Sequence, residues 1–190
     1  MKKTIQFQLI ALAFACFNTA VSGAVAPTVL KTVDKKIVFL TKANPGRVKI
    51  EGMAKSEDPS AISVESVLQG EFLTIKTVLE MNSLDTGIEL RNKHMKETYL
   101  ETAKFPKSEF EMEPLKISDG NEQKFKGTLT IHGKTIPVSG VVELKNSEKE
   151  IEVALHSTVK MTDFGIQQPQ FMAIKVEDEV ALDMTFRGVK

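Results

Sequence analysis

From residue 35 onward, apolar and polar residues alternate along the chain with a period of two. Ile37 and Phe39 open the series, and Val48 and Ile50 follow beside Lys49 and Glu51. Leu73, Ile75, Leu79 and Met81 are interleaved with Thr74, Lys76, Val78 and Glu80. Phe110 and Met112 sit among Glu109, Glu111 and Glu113, while Phe125, Leu129 and Ile131 alternate with Lys126, Thr128 and Thr130. Ile136, Val138, Val142 and Leu144 continue the pattern, then Ile151, Val153 and Leu155, and finally Val180, Leu182, Met184 and Phe186. Alternation of this kind marks strands with one wetted face and one apolar face. Gly133-Lys134, between Ile131 and Ile136, predicts a two-residue hairpin of type II′ with glycine first, and Asn146-Ser147 predicts another turn. Connections this short require antiparallel neighbours. Many closely spaced strands of similar length predict a sandwich or a barrel.

One segment carries a different period. Thr86 and Glu89 have the spacing of a capping box, and Leu90, His94 and Met95 fall on one side of the helix it would start, with Tyr99 a turn further on. Pro106 lies beyond the end, where a helix cannot continue. A helix inserted into an otherwise all-β chain is expected over one mouth of the barrel or against its side. The strand series shows no repeat, low-complexity tract or linker, so residues 24–190 read as one domain.

Residues 1–23 read as an export signal. Lys2 and Lys3 form a basic start, Leu9 to Phe17 is an unbroken apolar run, and Ala20, Ser22, Gly23 and Ala24 supply small residues for cleavage. The run falls short of the roughly 20 apolar residues that span a bilayer, and no later segment comes closer, so no integral membrane span is expected. Cys16 is the chain's one cysteine, and Ala13-Phe14-Ala15 before it departs from a lipoprotein signal, which favours simple cleavage over lipid anchoring. The expected location is therefore periplasmic or secreted, with no mature cysteine for disulfide or thiol chemistry. Removal of Lys2 and Lys3 leaves 23 basic against 25 acidic residues, since residues 1–23 contain no acid. Lysines and glutamates alternate without blocks, which excludes a nucleic-acid footprint and speaks against a basic membrane-surface patch.

Chemistry is sparse. His94, His132 and His156 lie in the helix, a hairpin and a strand, without a zinc-type spacing, so no metal site is expected. His132 reads as a surface turn residue and His156 as an outward strand residue. His94 leaves two readings open, a packed histidine or a contact to a polar ligand head with Arg91 beside it. Asp85 reads as a turn residue. There is no G-x-S-x-G elbow and no Gly-rich phosphate loop, so no catalytic residue is assigned. Eleven phenylalanines and eight methionines, against one tyrosine and no tryptophan, suit greasy space that needs no hydrogen bonds. A barrel of about eight strands is either filled by its own side chains or holds one small ligand. Composition leaves both open.

Three blocks narrow the choice. LDTGIELRNKHMKETYL (84–100) is followed by Phe105-Pro106, GTLTIHGKTIPV spans 127–138, and TDFGI spans 162–166. In that order they resemble the YceI family of secreted, lipocalin-like proteins that bind isoprenoid lipids. The resemblance runs from about Val33-Asp34 to Arg187 and is weaker over the first strand and Lys42-Ala43-Asn44-Pro45. It implies an all-β fold with a short helical insertion, an extended antiparallel barrel of about eight strands. It also implies a bound isoprenoid-like or fatty chain in the interior, no other cofactor and no catalysis. Strand parity then assigns the lining to Val48, Ile50, Ile75, Leu79, Met81, Phe110, Met112, Phe125, Leu129 and Ile131, with Arg91 and His94 at the mouth. The function expected is a periplasmic carrier of a long-chain lipid, a polyprenyl or quinone derivative. A structural envelope stress-response protein with a dry core, acting through its surface, is the rival reading. An enzyme acting on a hydrophobic substrate inside the barrel is a third.

Overall fold

A computed structural model describes residues 26–54, 60–118 and 122–190; the expected signal peptide, Cys16 included, lies outside them. In chain order the strands are β1 (Thr28–Asn44), β2 (Val48–Ala54), β3 (Ile62–Gln69), β4 (Phe72–Glu80) and β5 (Leu84–Asp85). After a helical insertion come β6 (Lys107–Met112), β7 (Leu115–Lys116), β8 (Gln123–Ile131), β9 (Lys134–Asn146) and β10 (Glu150–Lys160). The short β11 (Gln170–Phe171) and β12 (Ile174–Val176) precede β13 (Glu179–Val189). The insertion is one α-helix, α1 (Glu89–His94), continued by a π-helical turn over Met95–Tyr99.

Eight of these strands close a barrel in the order β1-β13-β10-β9-β8-β6-β4-β3, every pair antiparallel. Closure comes from a short ladder that sets Thr28–Leu30 of β1 against Ser66–Leu68 of β3. Beyond Leu30 that ladder stops. Thr32 Oγ1 (3.2 Å) and Lys35 Nζ then donate to the Val64 and Ile62 carbonyls of β3, so side chains satisfy acceptors that a neighbouring strand would otherwise take. Further along, β1 takes β2 as its partner on this side, and β2 pairs with β5. The expected all-β barrel of about eight strands with one short helix is the fold found.

Three local expectations are corrected. The β8–β9 loop is His132-Gly133, because Ile131 pairs with Lys134. Both loop residues have positive φ, 53° and 73°, the sign pattern of a type I′ turn. A non-glycine residue in that region costs roughly 1–2 kcal/mol, and His132 is held there by two contacts. Its Nε2 lies 2.7 Å from Glu101 Oε2, and its ring packs 4.3 Å from that of Phe105. The histidine is thus largely covered rather than a free surface residue.

The capping box does not form, because α1 begins only at Glu89, with Ile88 at its N-cap and no side-chain cap bond. Instead Asn92 Oδ1 accepts from the Thr86 N–H (2.8 Å) and hydroxyl (2.7 Å), and Asn92 Nδ2 donates to Asp85 Oδ1 (2.6 Å). Arg91 Nε donates to Thr86 Oγ1 (2.8 Å) and Nη2 to the Thr86 carbonyl (2.6 Å). The D-T-x-x-x-x-R-N spacing is therefore a clamp that fixes how the chain runs from β5 into the helix. Finally, the face bearing Leu90 does not pack: α1 buries no residue, and Leu90 is 62% exposed. The underside of the π-helical turn anchors the insertion, through Met95, Tyr99 and Leu100 against the apolar clusters below.

The interior has two unlike halves. One end is solid: Leu30, Leu73, Ile75, Met112, Val142, Leu144, Ile151, Val153 and Phe186 are all nearly inaccessible and in mutual contact. The other end, toward the helix, is walled by two separate clusters centred on Leu79, Met81 and Leu84 and on Leu129, Phe164 and Ile166.

Candidate functional site

Between those clusters lies a chamber of about 660 Å³. Phe125, Leu155 and Met184 form its floor, since each also belongs to or packs on the solid end. The rings of Phe110 and Phe125 meet edge to face there, 5.7 Å apart at 82°. Ile37 and Phe39 of β1, Leu79 of β4, Ile131 of β8 and Leu182 of β13 form walls, and the helix side adds Met95, Tyr99 and Leu100. At the mouth, Ile88, Leu90, Arg91 and His94 face Phe171 and Ile174 of the β11–β12 hairpin. The Gln170 N–H donates to the Tyr99 hydroxyl (3.3 Å), tying the hairpin to the helical side.

Polar atoms along the wall are few and mostly engaged. Thr41 Oγ1 lies 2.9 Å from the Glu179 carbonyl, and Ser157 Oγ donates to the Ser139 carbonyl (2.9 Å). Such a surface offers dispersion and burial, with little polar recognition.

The three sequence blocks converge on this end of the barrel. The 84–100 block supplies the clamp, the helix and the π-helical turn. The 127–138 block supplies a wall and the His132-Gly133 turn that seats Phe105. The 162–166 block forms a 3₁₀ turn whose Phe164 is fully buried and whose Ile166 is nearly so. Asp178 holds that turn, accepting from the Thr162 N–H at Oδ1 (2.9 Å) and from the Thr162 hydroxyl at Oδ2 (2.6 Å). Partial burial pushes the Asp178 carboxyl up. The Thr162 hydrogen bonds, with Lys160 and Lys175 nearby, outweigh this and hold it below the usual carboxylate range.

Of the residues assigned by strand parity, Ile50, Leu79, Met81, Phe110, Phe125, Leu129 and Ile131 line the chamber, and Arg91 and His94 stand at its mouth. Three do not. Ile75 and Met112 point inward as expected but belong to the solid end, where neighbours fill the space. Val48 has the parity of Ile50, but it opens β2 beside the 45–47 turn, at the rim, and is 58% exposed. Parity specifies a face; it says nothing about position along the barrel axis. Parity also offered Leu155, Leu182 and Met184, which were not assigned to the lining, whereas Phe171 and Ile174 carried no alternation signal. Arg91 is already committed to Thr86. His94 makes no hydrogen bond among the described residues. His156, on the outer face, lies 2.8 Å from Asp183 across the β10–β13 ladder. Among the described residues no group of three or more His, Cys, Asp or Glu side chains gathers as metal ligands, and no helix is long and apolar enough to cross a membrane.

A closed antiparallel barrel around an apolar chamber open at one mouth defines a lipocalin-like barrel protein. The chain belongs to the YceI family: the profile of the YceI-like domain matches residues 18–187. It is 28% identical over 123 residues to a UPF0312 protein of Pseudomonas syringae pv. tomato, a match covering 61% of this chain and 62% of that one. Protein YceI of Salmonella arizonae matches with the same identity and coverage. The chain thus spans about 62% of the length of these curated relatives. Among solved structures, BcnA of Burkholderia cenocepacia superposes with a TM-score of 0.68 at 18% identity, covering 80% of this chain and 95% of that one. A polyisoprenoid binding domain from Saccharophagus degradans, implicated in plant cell wall breakdown, gives 0.63 at 15% identity, covering 87% and 98%. At these identities the likeness is one of fold.

Proposed function

We propose that this protein is a periplasmic carrier that holds the hydrocarbon chain of an isoprenoid-like lipid in the barrel and has no catalytic role. The observation that carries the reading is the chamber itself, about 660 Å³ of apolar space open at one end. That volume falls among the ~300–1,000 Å³ pockets that hold small organic ligands. At roughly 30 Å³ per methylene-sized group, about the share of one liquid water, it takes on the order of 20 carbons. Burial of ~20 methylenes offers on the order of 15 kcal/mol gross, of which ordering the chain cancels a large part. The polyisoprenoid-binding domain that shares the fold supports the same class of ligand. Arg91 and His94 stand at the mouth, and since Thr86 already engages Arg91, His94 is the side chain left to meet a polar head. With so little polar recognition inside, lipids of similar width compete for the site.

The test is native mass spectrometry and organic extraction of protein purified from its own host. A long-chain lipid is expected in stoichiometric amount, and repeated recovery of an empty protein would refute the reading. Leu129→Glu, which sets a carboxylate against the chamber wall, should abolish retention; a folded variant that keeps its lipid shows that the chain lies elsewhere.

A further inference from the structure

The mouth of the chamber is ringed by apolar side chains that no other described residue covers. Of the ten large apolar residues exposed among the described residues, five stand here: Ile88 (52%) and Leu90 (62%) on the helical side, and Phe171 (61%), Met172 (84%) and Ile174 (48%) on the hairpin. The hairpin projects beyond the barrel. Val176 pairs with Ala43 and Lys175 with Asn44 at the end of β1, so Ile174 and the turn at Met172 continue past the last paired residue of that strand. Four of the five also line the chamber, which makes the lips continuous with its interior.

The segments that carry or adjoin these tips are cationic. Residues 42–49 contain Lys42, Arg47 and Lys49, 167–175 contain Lys175, and 88–96 contain Arg91, Lys93 and Lys96; against them stand Glu89, Glu51, which pairs with Lys49, and Glu177, which accepts from Asn44. Along the chain these charges look scattered, which is why the sequence argued against a basic membrane-facing patch. Folding gathers their segments around one opening in a protein whose overall charge is balanced.

We infer that this rim docks on an anionic lipid bilayer, with the Met172 turn and the Leu90 side inserting as two lips so that a chain passes between membrane and chamber. This inference rests on the carrier reading and adds the surface across which loading occurs. A hydrocarbon chain that left into water would forfeit nearly all the burial that holds it, so the mouth must meet another apolar phase. Two separate convex lips with an open hollow between them suit fluid acyl chains, which mould to any shape. Apolar tips flanked by cations are the pattern of an interfacial membrane contact.

The experiment is co-sedimentation of the full protein with vesicles of phosphatidylcholine alone and of phosphatidylcholine with phosphatidylglycerol. The wild type should bind, more tightly when phosphatidylglycerol is present. Met172→Asp should weaken binding by about tenfold or more, because it removes the thioether that would enter the bilayer and adds a repelled charge, while Met172→Leu keeps it. Met172 does not line the chamber, so M172D loaded with a long-chain lipid from detergent should retain as much as the wild type. Sedimentation of M172D equal to wild type overturns the docking surface. So does a wild type that ignores vesicles and engages only a protein partner. Vesicle binding by a wild type that yields no extracted lipid would sustain the docking surface and refute the carrier reading.

Discussion

Val138 and Val142 lie on the same face of the same strand, four residues or about 14 Å apart along β9. They sit in opposite halves of the barrel. Val142 is fully inaccessible in the solid end, whereas Val138 is half-buried and lines the chamber. The same substitution at both sites therefore separates core from cavity. Phenylalanine carries four more carbons than valine. At Val142 it must displace packed neighbours, and overpacking of a filled core costs about 1–3 kcal/mol. At Val138 the added atoms enter empty space, and the expected cost in lipid-free protein is under about 1 kcal/mol. The ring would instead displace about four methylenes of bound chain. At ~0.8 kcal/mol each, that is about 3 kcal/mol, or roughly a hundredfold in affinity. Urea unfolding of delipidated protein gives the stability arm, and quantitative extraction or titration with a fluorescent long-chain lipid gives the binding arm. Equal destabilisation by the two variants, or full lipid retention by Val138→Phe, would refute the division of the interior into a packed end and a hollow one.

The hydroxyl of Ser66 is buried at the solid end with no hydrogen-bond partner among the described residues, so Ser66→Ala should raise stability by about 1 kcal/mol in urea denaturation. Asn92→Ala removes the clamp on Asp85 and Thr86; hydrogen exchange should show faster amide exchange over 86–94, with global stability lowered by about 1–2 kcal/mol. Asp178 has a lowered folded-state pKa, so its contribution is fully present above the unfolded value near 3.8 and is lost as pH falls through the folded one. Asp178→Ala should therefore flatten the acid limb of a stability-against-pH curve, and an unchanged limb would show that the Thr162 contacts do not contribute.

Secondary structure and the inward face were legible because both depend on neighbours in sequence. Period-two alternation specifies a strand and which side of it is apolar wherever no residue is added or lost. It fails where one is. The β1–β13 register shifts between Thr32 and Asp34, so the inward positions pass from Leu30 to Ile37, Phe39 and Thr41, with a change of parity at Val33. The start of the helix failed for a related reason. Thr86 and Glu89 satisfy a local rule, but the side chains of Arg91 and Asn92 took Thr86 into a different set of hydrogen bonds, with Asp85 accepting from Asn92.

By itself, the chain determined antiparallel strands with one greasy face and a helix inserted before Pro106, and the resemblance of three blocks pointed to a barrel. Only the tertiary structure decided which part of that inside is full. Ile75 and Leu79 share a strand, a face and a chemistry, yet one is packed in a closed core and the other borders open space. The difference is made by what stands across the barrel: at one end Leu30, Val142, Leu144 and Ile151 converge, and at the other the helix and the Thr162–Ile166 turn hold the walls apart. Filled volume depends on contacts between residues far apart in sequence, and no local pattern of apolar and polar positions encodes it.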